Sequence, residues 1–301
     1  MSKKVVDIAD LDCIYLSYDE PKKEEFWIKI QNMVPWAKRV DGVKGSDAAH
    51  KAAAAASDTD RFILIDGDNI PDEKFFNLQL DLADYDKDSV FRWKARNHIN
   101  GLMYGNGGLS CWTKNFVNNM RTHEATDGSH ETQVEFCFNP NYWAMHDCYS
   151  TTYPDATPFQ AWRAGFREGV KMCLDRGRKP GLVEFETKVH HRNYDHLCVW
   201  QSVGTDVENG FWAIIGARQG TYLTMLEDWW DYKNVQDFDV LEELWKEYES
   251  INDPIDHCKR LGETLRNKLN LPIVDMDPEE SKFFKHHYKS VFRNKGVMER
   301  E

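Results

Sequence analysis

Two aspartates one residue apart, Asp66-Gly67-Asp68, follow the apolar run Phe62-Ile63-Leu64-Ile65. Carboxylates so placed at a strand end can hold a hard divalent cation, directly or through water, and Mg2+ or Mn2+ there can bridge to a diphosphate. The intervening glycine is expected to leave room for a ligand against the backbone. Aspartates also make turns, so the triplet takes its meaning from its place at a strand end. A second acidic pair, Asp19-Glu20, closes another apolar run, residues 12–18. Three groups of cations recur at structural spacings. Arg92, Lys94 and Arg96 alternate as on one face of a strand, and Arg163, Arg167 and Lys171 are spaced i, i+4, i+8 as on one face of a helix. Lys282, Lys285, Lys289 and Arg293 line the last helical segment, opposite Phe284, Tyr288 and Phe292.

The elements that must position these groups read as an alternation. Residues 12–18 are expected as a buried strand, 24–33 as a helix ended by Val34-Pro35, and 37–43 as a second strand. Residues 46–57 form a helix opened by a Ser/Asp cap, with alanines that let it lie close to a sheet. Residues 61–65 make the third strand. Strand, helix, strand, helix, strand is βαβ logic with a parallel sheet, whose ligands sit outside the carboxyl ends of the strands. Both Asp19-Glu20 and Asp66-Gly67-Asp68 fall there. Strands are further expected at 89–94 and 131–138, with the glycine-rich stretch 101–108 between them. Residues 158–174 are a helix with Phe159, Trp162, Phe166, Val170 and Cys173 on one face. Residues 205–226 are expected as a helix despite Gly210, Gly216 and Gly220.

With 301 residues, 41% hydrophobic, 11 Trp and 16 Phe, the chain can build a real core and is not disordered. No apolar run is long enough to cross a bilayer, and Met-Ser-Lys-Lys opens no apolar signal sequence. Seven cysteines without a C-x-x-C argue against a zinc ribbon or a disulfide scaffold. A cytoplasmic protein without membrane partners is therefore expected. The net charge of −12 disfavours indiscriminate nucleic-acid binding. It is unevenly spread: residues 226–280 carry 6 basic and 16 acidic groups, whereas 90–123 carry 5 basic and none acidic. A polyanion could still be gripped locally, although charge runs are also ordinary solvated faces.

The first strand with Tyr18-Asp19-Glu20-Pro21, and Phe62-Ile63-Leu64-Ile65-Asp66-Gly67-Asp68 after the second helix, resemble the nucleotide-sugar half of GT-A-fold glycosyltransferases. The resemblance extends through Lys44-Gly45, Ala49-His50-Lys51, Tyr104-Gly105-Asn106-Gly107-Gly108, Pro158 to Glu168 and Val203-Gly204-Thr205-Asp206. The combination is similar to glycosyltransferases carried by tailed phages, including phage DNA arabinosyltransferases. It covers residues 12 to 220 and fades beyond. The expected fold class is thus α/β: a GT-A-like, Rossmann-type, mostly parallel sheet flanked by helices. Residues 1–225 would form the nucleotide-sugar and acceptor domain, and 226–301 a helical lobe packed on it.

The resemblance implies a metal-dependent enzyme with a nucleotide-sugar co-substrate, expected to be a uridine diphosphate sugar. Asp66 and Asp68 match the motif that holds Mn2+ or Mg2+ and the donor diphosphate. Tyr18, Asp19 and Glu20 match the position that meets the nucleoside, and Lys44, Asp47, His50 and Lys51 the next contacts with the nucleotide. Tyr104, Asn106, Gly107 and Gly108 match a glycine-rich loop that admits the acceptor. For a general base, Asp155 comes first, then Asp206 and Glu168, although for any one of the three taken alone ordinary helix capping is the preferred explanation. His190, His191 and His196 are available as a late metal ligand. Inverting and retaining chemistry both stay open.

The acceptor turns on the cations. Arg92, Lys94 and Arg96 beside the acceptor loop could contact DNA phosphates, with a hydroxyl on a base such as 5-hydroxymethylcytosine as the target. Arg163 and Arg167 would serve DNA or instead neutralise the donor diphosphate. The three readings are sugar transfer to double-stranded modified DNA, the same donor chemistry on a saccharide or small molecule, and a non-catalytic sugar-nucleotide or nucleic-acid binding module.

Overall fold

The computed structural model describes residues 5–120 and 139–288. The chain divides into two compact units, residues up to 98 with 103–156, and 99–102 with residues from 157 onward. The segment 157–225, grouped above with the first domain, thus shares a unit with the C-terminal helices. The expected strand at 131–138 lies outside the described residues. Among those described, no helix is long and apolar enough to cross a membrane.

The first unit contains, in order, β1 (Val5–Asp7), β2 (Asp12–Ser17), α1 (Lys23–Met33), β3 (Lys38–Asp41), α2 (Ser46–Ala56), β4 (Arg61–Asp66), β5 (Asn69–Pro71), β6 (Gln79–Asp81), β7 (Val90–Asn97), β8 (Met103–Thr113), α3 (Lys114–Asn119) and β9 (Tyr142–Thr152). Strands β1 and β6 pair with each other; the other seven form one sheet in the order β3-β2-β4-β8-β7-β9-β5. Strands β3, β2, β4, β7 and β9 run the same way, while β8 and β5 oppose them. The carboxyl ends of five strands therefore open on one edge.

Side chains alternate across this sheet as a two-residue period requires. Cys13, Tyr15, Ile63 and Ile65 pack with Phe26 and Ile30 of α1, whereas Ile14, Phe62 and Leu64 pack with Ala53 and Ala54 of α2 and Phe116 of α3. Chain direction explains the two faces. The connection β2–α1–β3 moves one way across the sheet, and β3–α2–β4 moves back past β2. Right-handed crossovers then place α1 and α2 on opposite sides. Two details differ from the sequence reading. Gly45, at φ +92°, precedes α2 where a Ser/Asp cap was expected, and no side chain caps that helix. The stretch 104–108 is no loop: it runs inside β8, where Gly105 faces Lys94 and Tyr104 faces Ala95 of β7. Gly105 has its own reason, since a side chain there would press on the Arg92 guanidinium.

The second unit is helical: α4 (Pro158–Met172), α5 (Phe185–Lys188), α6 (His191–Trp200), α7 (Gly210–Leu226), α8 (Phe238–Glu249), α9 (Pro254–Leu269) and α10 (Pro278–His287). Helix α4 begins with Thr157 accepting from the Gln160 amide and Pro158 in the first turn, and it buries Trp162, Phe166 and Val170. Helix α7 starts at Gly210, five residues later than expected. Its glycines are a packing device. A Cβ on Gly216 would overlap the Trp162 carbonyl, and one on Gly220 the Phe166 carbonyl. In return, Gly165 and Gly169 of α4 abut the carbonyls of Ala213 and Ala217. The two helices meet backbone to backbone, with glycine pairs four residues apart on each.

On an exposed helix, Gly→Ala would stabilise by up to about 1 kcal/mol. Here Gly216→Ala must push α4 and α7 apart and is expected to cost about 1–3 kcal/mol, the range of overpacked cores. Denaturant unfolding of the two proteins measures it; an unchanged or raised midpoint would contradict the close approach.

Candidate functional site

The site lies in the first unit, at the edge where β2, β3, β4, β7 and β9 end. Asp66 is the last residue of β4, and Asp68 follows two residues later on the way into β5. Strand β2 runs beside β4 with Leu16 opposite Asp66, which brings Glu20 to the same place. The Glu20 carboxylate lies against Gly67, where any side chain would run into it. The space expected above for a ligand is thus filled by an acid.

The backbone around these carboxylates is pinned from both sides. Tyr15, buried in β2, donates its hydroxyl to the Gly67 carbonyl at 2.8 Å. Thr152, the last residue of β9, donates its hydroxyl to Asp68 Oδ2 at 3.2 Å, and the Tyr153 amide donates to the Asp68 carbonyl at 2.8 Å. Glu20 Oε2 accepts from the Tyr18 amide at 2.7 Å. Electrostatics record the crowding. Burial, then the charges of Asp68 and Glu20, push the Asp66 carboxyl up to about 8. Burial also raises Glu20, helped by Asp68 and Asp19 and opposed by backbone amides.

Among the described residues no three His, Cys, Asp or Glu side chains form a ready-made metal cage. The acids nevertheless suit a hard cation. They present oxygen donors, and each suffers from the others' negative charge, which a divalent ion would relieve. Asp66 and Asp68 are the residues that would hold it, with the remaining coordination left to water or a ligand.

The expected nucleotide contacts gather nearby. Tyr18 and Asp19 are exposed beyond β2. Lys44 is exposed just before α2, in whose first turn Asp47 pairs with Lys51 at 2.6 Å. His50 holds the Ser46 carbonyl through Nδ1 and its ring lies 5.3 Å from Trp112. The sequence reading missed Asp41 at the end of β3, which accepts from Ser17 at 2.7 Å and from Lys23 at 2.8 Å. It also missed Tyr15, Thr152, Tyr153 and His98. Asp41 could have been found, since it closes a strand at the same edge, and Tyr15 lies in a strand that was expected; Thr152 and Tyr153 depended on β9, which was not read as a strand, and His98 on its contacts with Thr152 and Asp155.

The proposed bases part company. Asp155 lies in this unit, two residues beyond Tyr153, but its side chain is only 4% exposed and accepts from His98 Nδ1 at 2.9 Å. Asp206 and Glu168 belong to the second unit. Asp206 is held by Lys285 at 2.6 Å, and Lys285 also donates to the Ile99 carbonyl. Glu168 pairs with Lys171 at 2.5 Å. Both act as internal ion pairs.

Arg163 and Arg167 are in the second unit as well, spread over the Phe238 ring at 4.8 and 5.2 Å, so they bind α4 to α8 rather than form a free basic stripe. The rings of His190 and His191 lie 4.3 Å apart, and His190 caps α6 by accepting from the Arg192 amide. His196 is half-buried, and that desolvation lowers its pKa. Of the terminal cations, Lys289 and Arg293 lie outside the described residues. In the first unit, Arg92, over the Tyr142 ring at 5.2 Å, and Lys94 are half-buried, and Arg96 is exposed. Tyr104, Asn106, Gly107 and Gly108 lie in β8 beside them.

No protein-family model matches the sequence. No curated protein matches it either. Six chains among solved structures do. One is a glycosyltransferase involved in the glycosylation of the major capsid of PBCV-1, at a TM-score of 0.32 and 13% identity over 50% of this chain and 97% of that one. Another is HddC from Yersinia pseudotuberculosis, at a TM-score of 0.25 and 18% identity over 47% of this chain and 71% of that one. At these scores neither likeness assigns this chain a family.

Raised carboxyls bind protons in the folded state that the unfolded chain, with pKa values near about 4, has lost. Their contribution is complete below that pH and disappears as the pH rises through their folded values, for Asp66 about 8. The metal-free protein should therefore lose stability between pH 5 and 8.5, and Asp66→Asn should flatten that slope and unfold at higher temperature at pH 8. Scanning calorimetry across the range decides it: parallel slopes for the two proteins would mean that Asp66 is not the strained group.

Proposed function

We propose that this chain is a metal-dependent glycosyltransferase that moves a sugar from a nucleoside diphosphate donor to a hydroxyl acceptor. The observation that carries the reading is the cluster of Glu20, Asp66 and Asp68 at the carboxyl ends of two adjacent parallel strands, where α/β sheets take their ligands. A Mn2+ or Mg2+ ion on Asp66 and Asp68 would neutralise the charge that builds up on a departing diphosphate. The residues of the chain supply the rest. Tyr15, Thr152 and the Tyr153 amide hold the Asp66–Asp68 turn in place. Tyr18, Asp19, Lys44, Asp47, His50 and Lys51, around the ends of β2 and β3, form the nucleoside side, for which we favour uridine on the resemblance described above.

Asp68→Ala is expected to lower transfer at least ~100-fold, equivalent to ~2.7 kcal/mol of barrier. Circular dichroism should show an intact fold, because the side chain lies at the sheet edge. The assay is a panel of UDP-sugars with Mn2+ and hydroxymethylated duplex DNA, read by nucleoside mass spectrometry. Full turnover in excess chelator would overturn the metal's role, and tighter calorimetric binding of GDP or CDP than of UDP would overturn the donor.

For the acceptor we propose DNA carrying a hydroxylated cytosine, supported by the alternating Arg92, Lys94 and Arg96 of β7 next to β8. One observation favours a saccharide instead: only Arg96 of the three is well exposed. Neutralising all three separates the readings. A DNA acceptor predicts weaker DNA binding and a log–log salt slope reduced by about one per lost phosphate contact, with UDP affinity unchanged. Unaltered DNA binding in a mobility shift would favour the saccharide.

A further inference from the structure

We propose that His98, oriented by Asp155, takes the proton from the incoming acceptor hydroxyl, and that the transfer inverts the anomeric centre. The proposal rests on the glycosyl-transfer reading above. His98 follows β7 directly, and β7 is parallel to β4 in the sheet, so it emerges at the same edge as Asp66. Its amide donates to the Thr152 carbonyl at 3.0 Å, while the Thr152 hydroxyl donates to Asp68. One residue of β9 thus stands between the histidine and the acidic cluster. Neighbouring strands are ~4.8 Å apart, so the backbones of His98 and Asp68 are separated by about two such steps, ~10 Å. That interval suits a reaction in which a sugar ring lies between an ion-bound diphosphate on one side and a base on the other.

The histidine is built as a base should be. Its Nδ1 lies 2.9 Å from Oδ2 of Asp155, whose side chain is 4% exposed, whereas 42% of the His98 side chain is open. A carboxylate accepts, so in the neutral imidazole the hydrogen sits on Nδ1 and the lone pair is left to Nε2. The imidazole also lies against the Tyr153 ring at 4.7 Å, and Tyr153 in turn against Phe26 at 5.4 Å, which fixes its plane. Buried as it is, Asp155 does not reach a substrate; it acts through His98 as a positioning residue. In the step, the acceptor oxygen bonds to the anomeric carbon as that carbon's bond to the diphosphate oxygen breaks. The acceptor proton moves to Nε2, and the diphosphate leaves with the bonding electrons. Attack from the side opposite the leaving group inverts the centre.

The test uses the full-length protein with Mn2+ and UDP-glucose, UDP-galactose, UDP-xylose and UDP-arabinose, with water as the acceptor where no transfer occurs. General-base catalysis contributes about 10²–10⁴-fold, so His98→Ala should release UDP at least ~100-fold more slowly at unchanged UDP·Mn2+ affinity. Added imidazole should restore part of the rate. Asp155→Asn should be slow with His98 in place, and His98→Gln, which keeps the hydrogen bond to Asp155, should be as slow as His98→Ala. Proton NMR of the first sugar released should show the anomer opposite to that of the donor. A full rate in His98→Ala, no imidazole rescue, or a retained anomer overturns the dyad. If the wild type neither binds UDP·Mn2+ nor releases UDP, the glycosyl-transfer reading with a uridine donor fails, and the proposal falls with it.

Discussion

Mutual repulsion among Glu20, Asp66 and Asp68 is the constraint around which the first unit is arranged. Buried carboxylates are costly unless they are protonated, hydrogen-bonded or neutralised by a cation. Burial and the charges of Asp68 and Glu20 push the Asp66 carboxyl up to about 8, in the direction of its protonated form. Such a cluster would relax outward if its backbone could move. It does not, because β2 and β4 are clamped between the two apolar layers and the Asp66–Asp68 turn is tied by Tyr15 on one side and β9 on the other. Stability from the core is converted into a fixed electrostatic strain at the edge, where a divalent ion would be most welcome.

Strand β9 is the second necessity. It runs parallel to β7 and antiparallel to β5, with Thr152 opposite both Asn97 and Asn69. A single residue therefore registers the end of β7 against the turn that follows β4. Without that pairing the carboxylates and the His98–Asp155 pair would belong to unconnected loops. With it, an acidic centre and an oriented imidazole share one rigid edge, which is what pre-organised chemistry requires.

The sequence made the β2 to β4 half legible because its patterns are strong: apolar runs of strand length, a breaker at Pro35, an alanine helix and acids at both strand ends. The half built on β9 was not legible. The segment Tyr142–Thr152 mixes exposed and half-buried positions with no clean alternation, so nothing in it announces a strand. Hence Asp155 was found only as a residue before a helix, and His98 not at all. The glycines misled in two directions. Those at 105, 107 and 108 suggested a loop yet lie in β8, and those of α7 weakened the case for a helix whose close contact with α4 depends on them. In each instance a tertiary contact decided what local propensity left undecided.

Charge stripes read from spacing overstate what is free to bind a ligand. Arg163 and Arg167 are spent on Phe238, and Lys285 on Asp206 and the Ile99 carbonyl. Each is a cation whose partner lies far away in sequence, so only the folded chain shows it committed. Of the three β7 cations it is Arg96 that stays outward, and with it the acidic edge, on a chain of net charge −12. On the reading proposed here this imposes an order on the chemistry. A diphosphate approaching three carboxylates is repelled unless a cation accompanies or precedes it, and the same field opposes a polyanionic acceptor. Metal binding would thus be more than a device for the leaving group: by cancelling the charge at the ends of β2 and β4, it would make the edge able to receive its substrates at all.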